Sequence, residues 1–368
     1  MSHVSRIVVA VAAGSLLLSA HSTAQHRNLV NAQVRTLKAG PSLERDIDTV
    51  RRSTTSPAWI GYEVPAVPGE RHMCCWDGAV AVGTGSADSC GGCRLEEGRS
   101  GATGTATRPV ALEGPRAILV LVRVEQQRIG KLRIFSEDCV LDAGGLPVHW
   151  LEGVRPAESI AWLKERTVEA YATTRPSSDP PPLRNALTAL ALHADAAATT
   201  VLEDLAAASR PLPLRRQAAF WLGSARGKDG FSILQGWLAR DQDARFRREV
   251  TFAVSVSREP GVADALIRSA REDASGDVRG QALFWLAQRA GVAAAAAIKG
   301  AIENDPDTEV KKRAVFAVSR LPKDEGIPLL IELARSHKNP EVRKQACFWL
   351  GQSKDPRALA YFEQVLTR

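Results

Sequence analysis

Several things are missing from this sequence, and each absence excludes a class of protein. After the stretch Ile7–Leu18 no apolar run approaches the roughly 20 residues a helix needs to span a bilayer, so nothing later in the sequence reads as a membrane-spanning helix. No cysteine follows that stretch to accept a lipid. No phosphate-binding glycine loop, no Ser-His-Asp order and no His-x-x-His spacing stands out, so nucleotide-dependent, acyl-transfer and zinc-hydrolase chemistries have no motif to rest on. Histidine is scarce: His3, His21, His26, His72, His149, His193 and His337 are the full set, and none is followed by glutamate.

What is present begins with "MSHVSRIVVAVAAGSLLLSAHSTAQ": a basic start, the apolar run Ile7–Leu18, then small residues. That is the pattern of a secretory signal peptide spanning residues 1–24, with Ser22 and Ala24 at the −3 and −1 positions for cleavage before Gln25. The expectation is a periplasmic or secreted protein with no transmembrane segment after cleavage. Cysteine placement agrees with export. Five of the six cysteines, Cys74, Cys75, Cys90, Cys93 and Cys139, lie in the first half of the chain. In an oxidising compartment such clustering suggests disulfides. The alternatives are a structural metal held by Cys75, Cys90 and Cys93 with Cys139 or His72, or a reactive thiol. Cys90-Gly-Gly-Cys93 has the spacing of a redox pair but sits in a Gly-rich stretch without the strand-to-helix setting such a pair needs. Cys347 stands apart and reads as a small core residue.

A Pro-rich break at residues 173–182, "TTRPSSDPPP", divides two textures. Before it, after an extension at 25–44, residues 45–172 are rich in β-branched residues with short apolar alternation between Gly, Pro and Asp. They predict a small, β-rich, cysteine-containing domain of antiparallel strands, closed by a helix over 157–172. After it, periodicity takes over. Phe220, Phe252, Phe284, Phe316 and Phe348 are each 32 residues apart. Arg215, Arg247, Arg279, Lys311 and Arg343 keep the same interval, as do Asp241, Asp273 and Asp305, with His337 in the next Asp place. A fixed period of this size predicts an α-α superhelix of helix pairs, six repeats over 183–368, and so an α+β two-domain chain.

The segments "NDPDTEVKKRAVFAVSRL" and "KNPEVRKQACFWLGQSKDPRALAYFEQVL" resemble HEAT repeats of the bacterial phycobilisome-lyase HEAT-like type. The resemblance covers about half the chain and implies a helical solenoid. It leaves activity open, because such repeats host many functions. Deoxyhypusine hydroxylases are similar in architecture and bind iron through His-Glu pairs, which this sequence does not have.

On a helical wheel, Leu214, Ala218, Trp221 and Leu222 share an arc expected to face the partner helix, and Phe220 is expected to wedge successive first helices apart. Arg216 and Gly223 fall on a ridge suited to solvent. Trp221, Trp285 and Trp349 alternate with Ala253 and Ala317, which keeps packing density even if large faces small; an exposed aromatic stripe for a ligand is the competing reading. The Asp and Arg rows read first as helix caps and an internal ladder. At the second-helix positions the sequence varies from repeat to repeat, and Arg271, Lys299, Glu303 and Arg335 are expected to meet a protein partner there. No basic stripe with interleaved aromatics is evident, so nucleic acid is not an expected partner, and no cofactor is expected. These features make an exported scaffold that binds a protein or peptide the leading expectation, leaning away from catalysis. The alternatives are a thiol- or metal-dependent enzyme built on the Cys cluster, or a chaperone like the phycobilin lyases.

Overall fold

In the computed structural model, residues 28–69, 73, 93–96, 114–172, 183, 185–289 and 292–367 are described. The expected signal peptide, Cys74, Cys75, Cys90, His72 and the Pro-rich break lie outside them. No helix among the described residues is long and apolar enough to cross a membrane.

The N-terminal region is built on a five-stranded mixed sheet. Its strands are β2 (Gln33–Lys38), β3 (Ala58–Pro65), β5 (Ala117–Glu125), β6 (Arg128–Ser136) and β8 (Pro147–Glu152), in the order β2-β8-β3-β5-β6. A small second sheet joins β1 (Leu29–Val30), β7 (Leu141–Asp142) and β4 (Cys93–Arg94). The expectation of antiparallel strands holds for β3-β5-β6 only. β8 runs parallel to both β2 and β3. Such pairings join strands far apart in sequence, and alternation within a strand carries no information about them. β2 also lies inside the stretch read as an extension.

The central strands are apolar on consecutive positions because both sheet faces are covered. One face, with Ile60, Tyr62, Val120 and Ile134, belongs to the main core. The other, with Trp59, Leu121, Phe135 and Trp150, packs against Cys93, Leu95, Cys139 and Leu141 in a second core. Helices α1 (Leu43–Ser53) and α2 (Pro156–Ala172) lie against the main-core side, burying Leu43, Ile47 and Val50 from α1 and Trp162 and Leu163 from α2.

Six helix pairs follow: α3 (Asn185–Leu192) with α4 (Ala197–Leu205), α5 (Leu212–Ala225) with α6 (Gly227–Arg240), α7 (Ala244–Ser255) with α8 (Val262–Glu272), α9 (Gly276–Arg289) with α10 (Val292–Asn304), α11 (Thr308–Val318) with α12 (Lys323–Ser336), and α13 (Pro340–Ser353) with α14 (Pro356–Leu366). Successive first helices pack on one another extensively, while successive second helices touch far less. The apolar core runs without interruption from the sheet through all six pairs.

The sheet and the first pair are joined by more than apolar contact. Val67 N–H donates to Leu192 O at 2.8 Å and Ala194 N–H to Pro65 O at 2.9 Å, so the end of β3 pairs with the α3–α4 turn. Behind this pairing, Ser159 Oγ of α2 donates to the Tyr62 hydroxyl and lies 3.0 Å from His193 Nε2, all three buried. Burial holds the His193 imidazole down at a pKa of about 4, so it is neutral at physiological pH.

Candidate binding face of the helical repeats

From the second pair on, each first helix carries two adjacent positions that are basic except in α9, where Gly280 takes the second, and the fold separates them. The first of them, Arg215, Arg247 and Arg279, turns into the stack. Arg247 and Arg279 form two-pronged pairs with Asp273 and Asp305 at 2.7–2.9 Å, and Arg215 reaches Asp241 at 2.5 Å. Arg247 also donates to Asp241 O and Arg279 to Asp273 O, so every rung ties a repeat to the one before it. Burial alone would raise the Asp305 carboxyl, but hydrogen bonds from Arg279 and the Asp307 amide outweigh it and hold the group below its usual range. The Oδ1 of each Asp also accepts the backbone N–H two residues on, at Asp243, Ser275 and Asp307. Helix capping itself falls to that next residue where it is polar: Asp243 accepts from Arg245 N and Asp307 from Glu309 N. The periodic Asp therefore shapes the turn before the cap.

The fifth pair shows how tightly the two positions are coupled. Where Asp becomes His337, Arg becomes Lys311. His337 Nδ1 accepts the Asn339 amide at 3.1 Å, taking over the turn-shaping role of the Asp oxygen. Lys311 Nζ, without a carboxylate, donates to Ile302 O and Glu303 O instead. Burial, then repulsion by Lys338, lowers its pKa, whereas the pKa of Arg279 is raised by its hydrogen bond to Asp305.

The five phenylalanines sit elsewhere. The expectation of a buried wedge is corrected: Phe220, Phe252, Phe284 and Phe316 are half-exposed and Phe348 is 52% exposed. They lie at the middle of the outward arc, between Arg216 and Gln217. Gly223, expected on the solvent ridge, is buried against the following first helix. A Cβ on it would fall 2.0 Å from Ala253 O, so only hydrogen permits this helix approach.

Trp285 and Trp349 face the preceding repeat rather than the partner helix of their own. Their rings lie 4.8 Å from Phe252 and Phe316. In the steps into repeats with Ala253 or Ala317, phenylalanine stacks directly on phenylalanine: Phe220 on Phe252 at 5.9 Å, and Phe284 on Phe316 at 5.7 Å. Tryptophan thus fills the gap on every second step. With the T-shaped contacts inside each Phe-Trp dipeptide, the result is an unbroken row of eight rings: Trp221, Phe220, Phe252, Trp285, Phe284, Phe316, Trp349 and Phe348. Trp285 Nε1 and Trp349 Nε1 are buried without an acceptor, so the indole atoms left accessible are carbon.

Beside the rings runs the second basic row, which sequence reasoning took as plain solvent ridge. Arg216 and Arg248 lie one turn before Phe220 and Phe252, and Lys312 and Lys344 one turn before Phe316 and Phe348. Arg216, Arg248 and Lys344 are exposed, and none of them forms an ion pair with a described residue. A basic row with interleaved aromatics is therefore present, correcting the expectation that there is none. Its signal in the sequence was a cation four residues before every Phe of the row except Phe284, which Gly280 precedes. Between Phe220, Phe252 and Trp285 the surface opens into a hollow of about 410 Å³, rimmed by Arg216, Arg248 and Glu249.

The residues expected to meet a partner on the second helices form no comparable feature. Arg271, Lys299 and Arg335 are exposed and Glu303 is half-buried. Lys299 pairs with Glu332 at 3.5 Å, Arg335 donates to Gln364 at 3.2 Å, and Glu303 lies 3.7 Å from His337. Each spans neighbouring repeats, and no hollow gathers all four. In the N-terminal region Cys93 and Cys139 are both buried in the second core, and each is engaged in a disulfide. Cys347 is a half-buried free thiol. Among the described residues no cluster of three or more His, Cys, Asp or Glu could hold a metal ion.

Residues 295–368 match the family model of HEAT repeats. The helical array is of the HEAT-repeat type. No curated protein matches the sequence. Solved structures similar to this chain include human deoxyhypusine hydroxylase in complex with glycerol, at 16% identity over 55% of this chain and 91% of that one, with a TM-score of 0.25. The Escherichia coli protein YibA is 18% identical over 59% and 82% of the two chains, with a TM-score of 0.37. The CpcE–CpcF complex of phycocyanin lyase from Nostoc sp. PCC7120 is 19% identical over 54% and 77%, with a TM-score of 0.28. At these identities and scores the likenesses carry no argument about what the HEAT repeats of this chain do.

Proposed function

We propose that this protein is an exported, non-catalytic scaffold whose HEAT repeats hold another protein or peptide of the cell envelope. The observation that carries the reading is the half-exposed row of eight rings along the first helices. A monomeric soluble protein seldom leaves a continuous apolar strip open to water without using it. Aromatic and Arg side chains together are also the residues in which binding energy concentrates at interfaces. Export is supported by the pattern of residues 1–24, with Gln25 as the mature N-terminus. The buried Cys93 and Cys139 are in keeping with an oxidising compartment.

The test is to place a photo-crosslinking residue at Arg248, on the first-helix face, and separately at Arg271, on the second-helix face, in the full-length protein in its native host. A discrete protein adduct from position 248 is expected. An adduct from position 271 alone would move the site to the second helices, where Arg271, Lys299, Glu303 and Arg335 lie. Absence of a protein adduct from both positions would sink the scaffold reading.

A further inference from the structure

Resting on that reading, we infer that the segment held on the first-helix face is an extended acidic peptide whose apolar side chains alternate with its carboxylates. The inference begins from charge. Arg215, Arg247 and Arg279 have their carboxylates within the stack, whereas Arg216, Arg248 and Lys344, one place along the helix, have none among the described residues. The cationic row is also continuous where the sequence interrupts it. Gly280 occupies the equivalent place in the third of these helices, and Arg313 of the next repeat crosses over it, its Cδ 2.4 Å from where a Cβ would stand. A glycine here is what lets the arginine lie across. Arg313 and Lys312 are partly answered by Asp277 and Glu309, so the unanswered positive charge is concentrated at Arg216 and Arg248 and again at Lys344.

The hollow supplies the second requirement. Its floor is the rings of Phe220, Phe252 and Trp285, its rim the two arginines and a single carboxylate, Glu249. At about 410 Å³ it takes one or two apolar side chains, with two guanidiniums placed to meet flanking carboxylates. Packed helices stand roughly 8–10 Å apart, and a chain extended as polyproline II advances about 3.1 Å per residue and turns once in three residues, so one repeat corresponds to about three peptide residues with every third side chain on the same side. A repeating acidic-polar-apolar triplet therefore keeps step with the face. Nucleic acid fits it poorly: a phosphate chain presents charge more densely than one unpaired cation per repeat.

The experiment uses the full-length oxidised protein and fluorescence anisotropy with three labelled peptides: six Glu-Ser-Leu triplets, six Lys-Ser-Leu triplets and six Glu-Ser-Ser triplets. The first is expected to bind, roughly tenfold or more tightly than either other, with affinity falling as salt rises. The Arg216→Glu/Arg248→Glu double variant and Trp285→Ala should each weaken it by about tenfold, while Arg271→Glu/Arg335→Glu leaves it unchanged. The melting temperature of the double variant, which touches only exposed groups, should match wild type. Equal binding of the Lys peptide, tighter binding of an oligothymidylate than of the Glu-Ser-Leu peptide, or no binding of that peptide would overturn the inference. The crosslinking result would then still decide separately whether the protein is a scaffold.

Discussion

Arg215 and Arg216 are neighbours in the chain and opposites in the structure. The Arg215 side chain is 4% exposed, bound to Asp241 at 2.5 Å, and stacked over the Phe246 ring at 3.7 Å. Arg216 is exposed and meets no carboxylate among the described residues. The same contrast recurs at Arg247 and Arg248. What it teaches is that chemically identical residues, repeated at an identical interval, are divided by 100° of helical rotation into a part that builds the stack and a part left over for use. Periodicity alone weighs both rows equally. Burial and pairing separate them.

The largest effect should come from breaking a rung. Asp273→Ala leaves the Arg247 guanidinium, 13% exposed, without its carboxylate and removes the acceptor for Ser275 N–H. Removing one partner of a largely buried pair typically costs about 3–5 kcal/mol. The fifth repeat supplies a control. Asp273→His combined with Arg247→Lys copies Lys311 and His337, and should recover more than half of the loss. Chemical denaturation of the three variants checks this, and a double variant no better than Asp273→Ala would show that the fifth repeat is stabilised by something other than this exchange.

A somewhat smaller effect is expected at the junction of sheet and array, and it depends on pH. His193 is neutral in the folded protein, its pKa lowered to about 4 by burial, while in the unfolded chain it titrates near 6.5. Between those values the unfolded state binds the proton and the folded state does not. The contribution to stability is therefore complete above pH 6.5 and is lost as pH falls from there through 4. A gap of this size corresponds to about 3 kcal/mol. His193→Gln, which keeps a polar group near Ser159 Oγ, should flatten the stability profile across that window. An unchanged slope would place the acid sensitivity elsewhere, with the carboxylates of the rungs as the next candidates at lower pH.

How much of this was legible beforehand follows the same division. The 32-residue interval was enough to expect six helical repeats and an internal charge ladder, because a stack demands the same contact from every copy. It was not enough to orient the helix. Phe220 is apolar, and apolar side chains are expected inside, so the wheel sets Phe220 as a wedge between first helices and Trp221 toward the partner helix. Gly223 and Ala219 were the stronger markers of the packed side, since only small residues allow two first helices to approach this closely. In the sheet region each strand had its own signal, but the parallel placement of β8 between β2 and β3 joins positions more than 80 residues apart, such as Trp59 and Val148. Pairing of that kind depends on the whole chain's packing and leaves no local trace.

The smallest effects on stability belong to the outer row, and there the comparison becomes sharpest. Phe284→Ala removes a half-exposed ring that stacks on Phe316 at 5.7 Å and touches Trp285 at 4.7 Å. A fully buried phenylalanine would cost 3–5 kcal/mol. With part of its surface already in water, the transfer contribution shrinks, leaving about 1–2 kcal/mol. Arg248→Glu should change stability by less than about 0.5 kcal/mol, because the side chain is exposed and breaks no pair. Its neighbour provides the contrast, since Arg247→Glu places a second carboxylate against Asp273 and should cost several kcal/mol. If Arg248→Glu destabilised the fold as much as Arg247→Glu, the outer row would be part of the structural ladder and would no longer be available to a partner. If only Arg247→Glu unfolds the protein, the two rows divide as the structure places them, one holding the repeats together and the other facing out beside the rings.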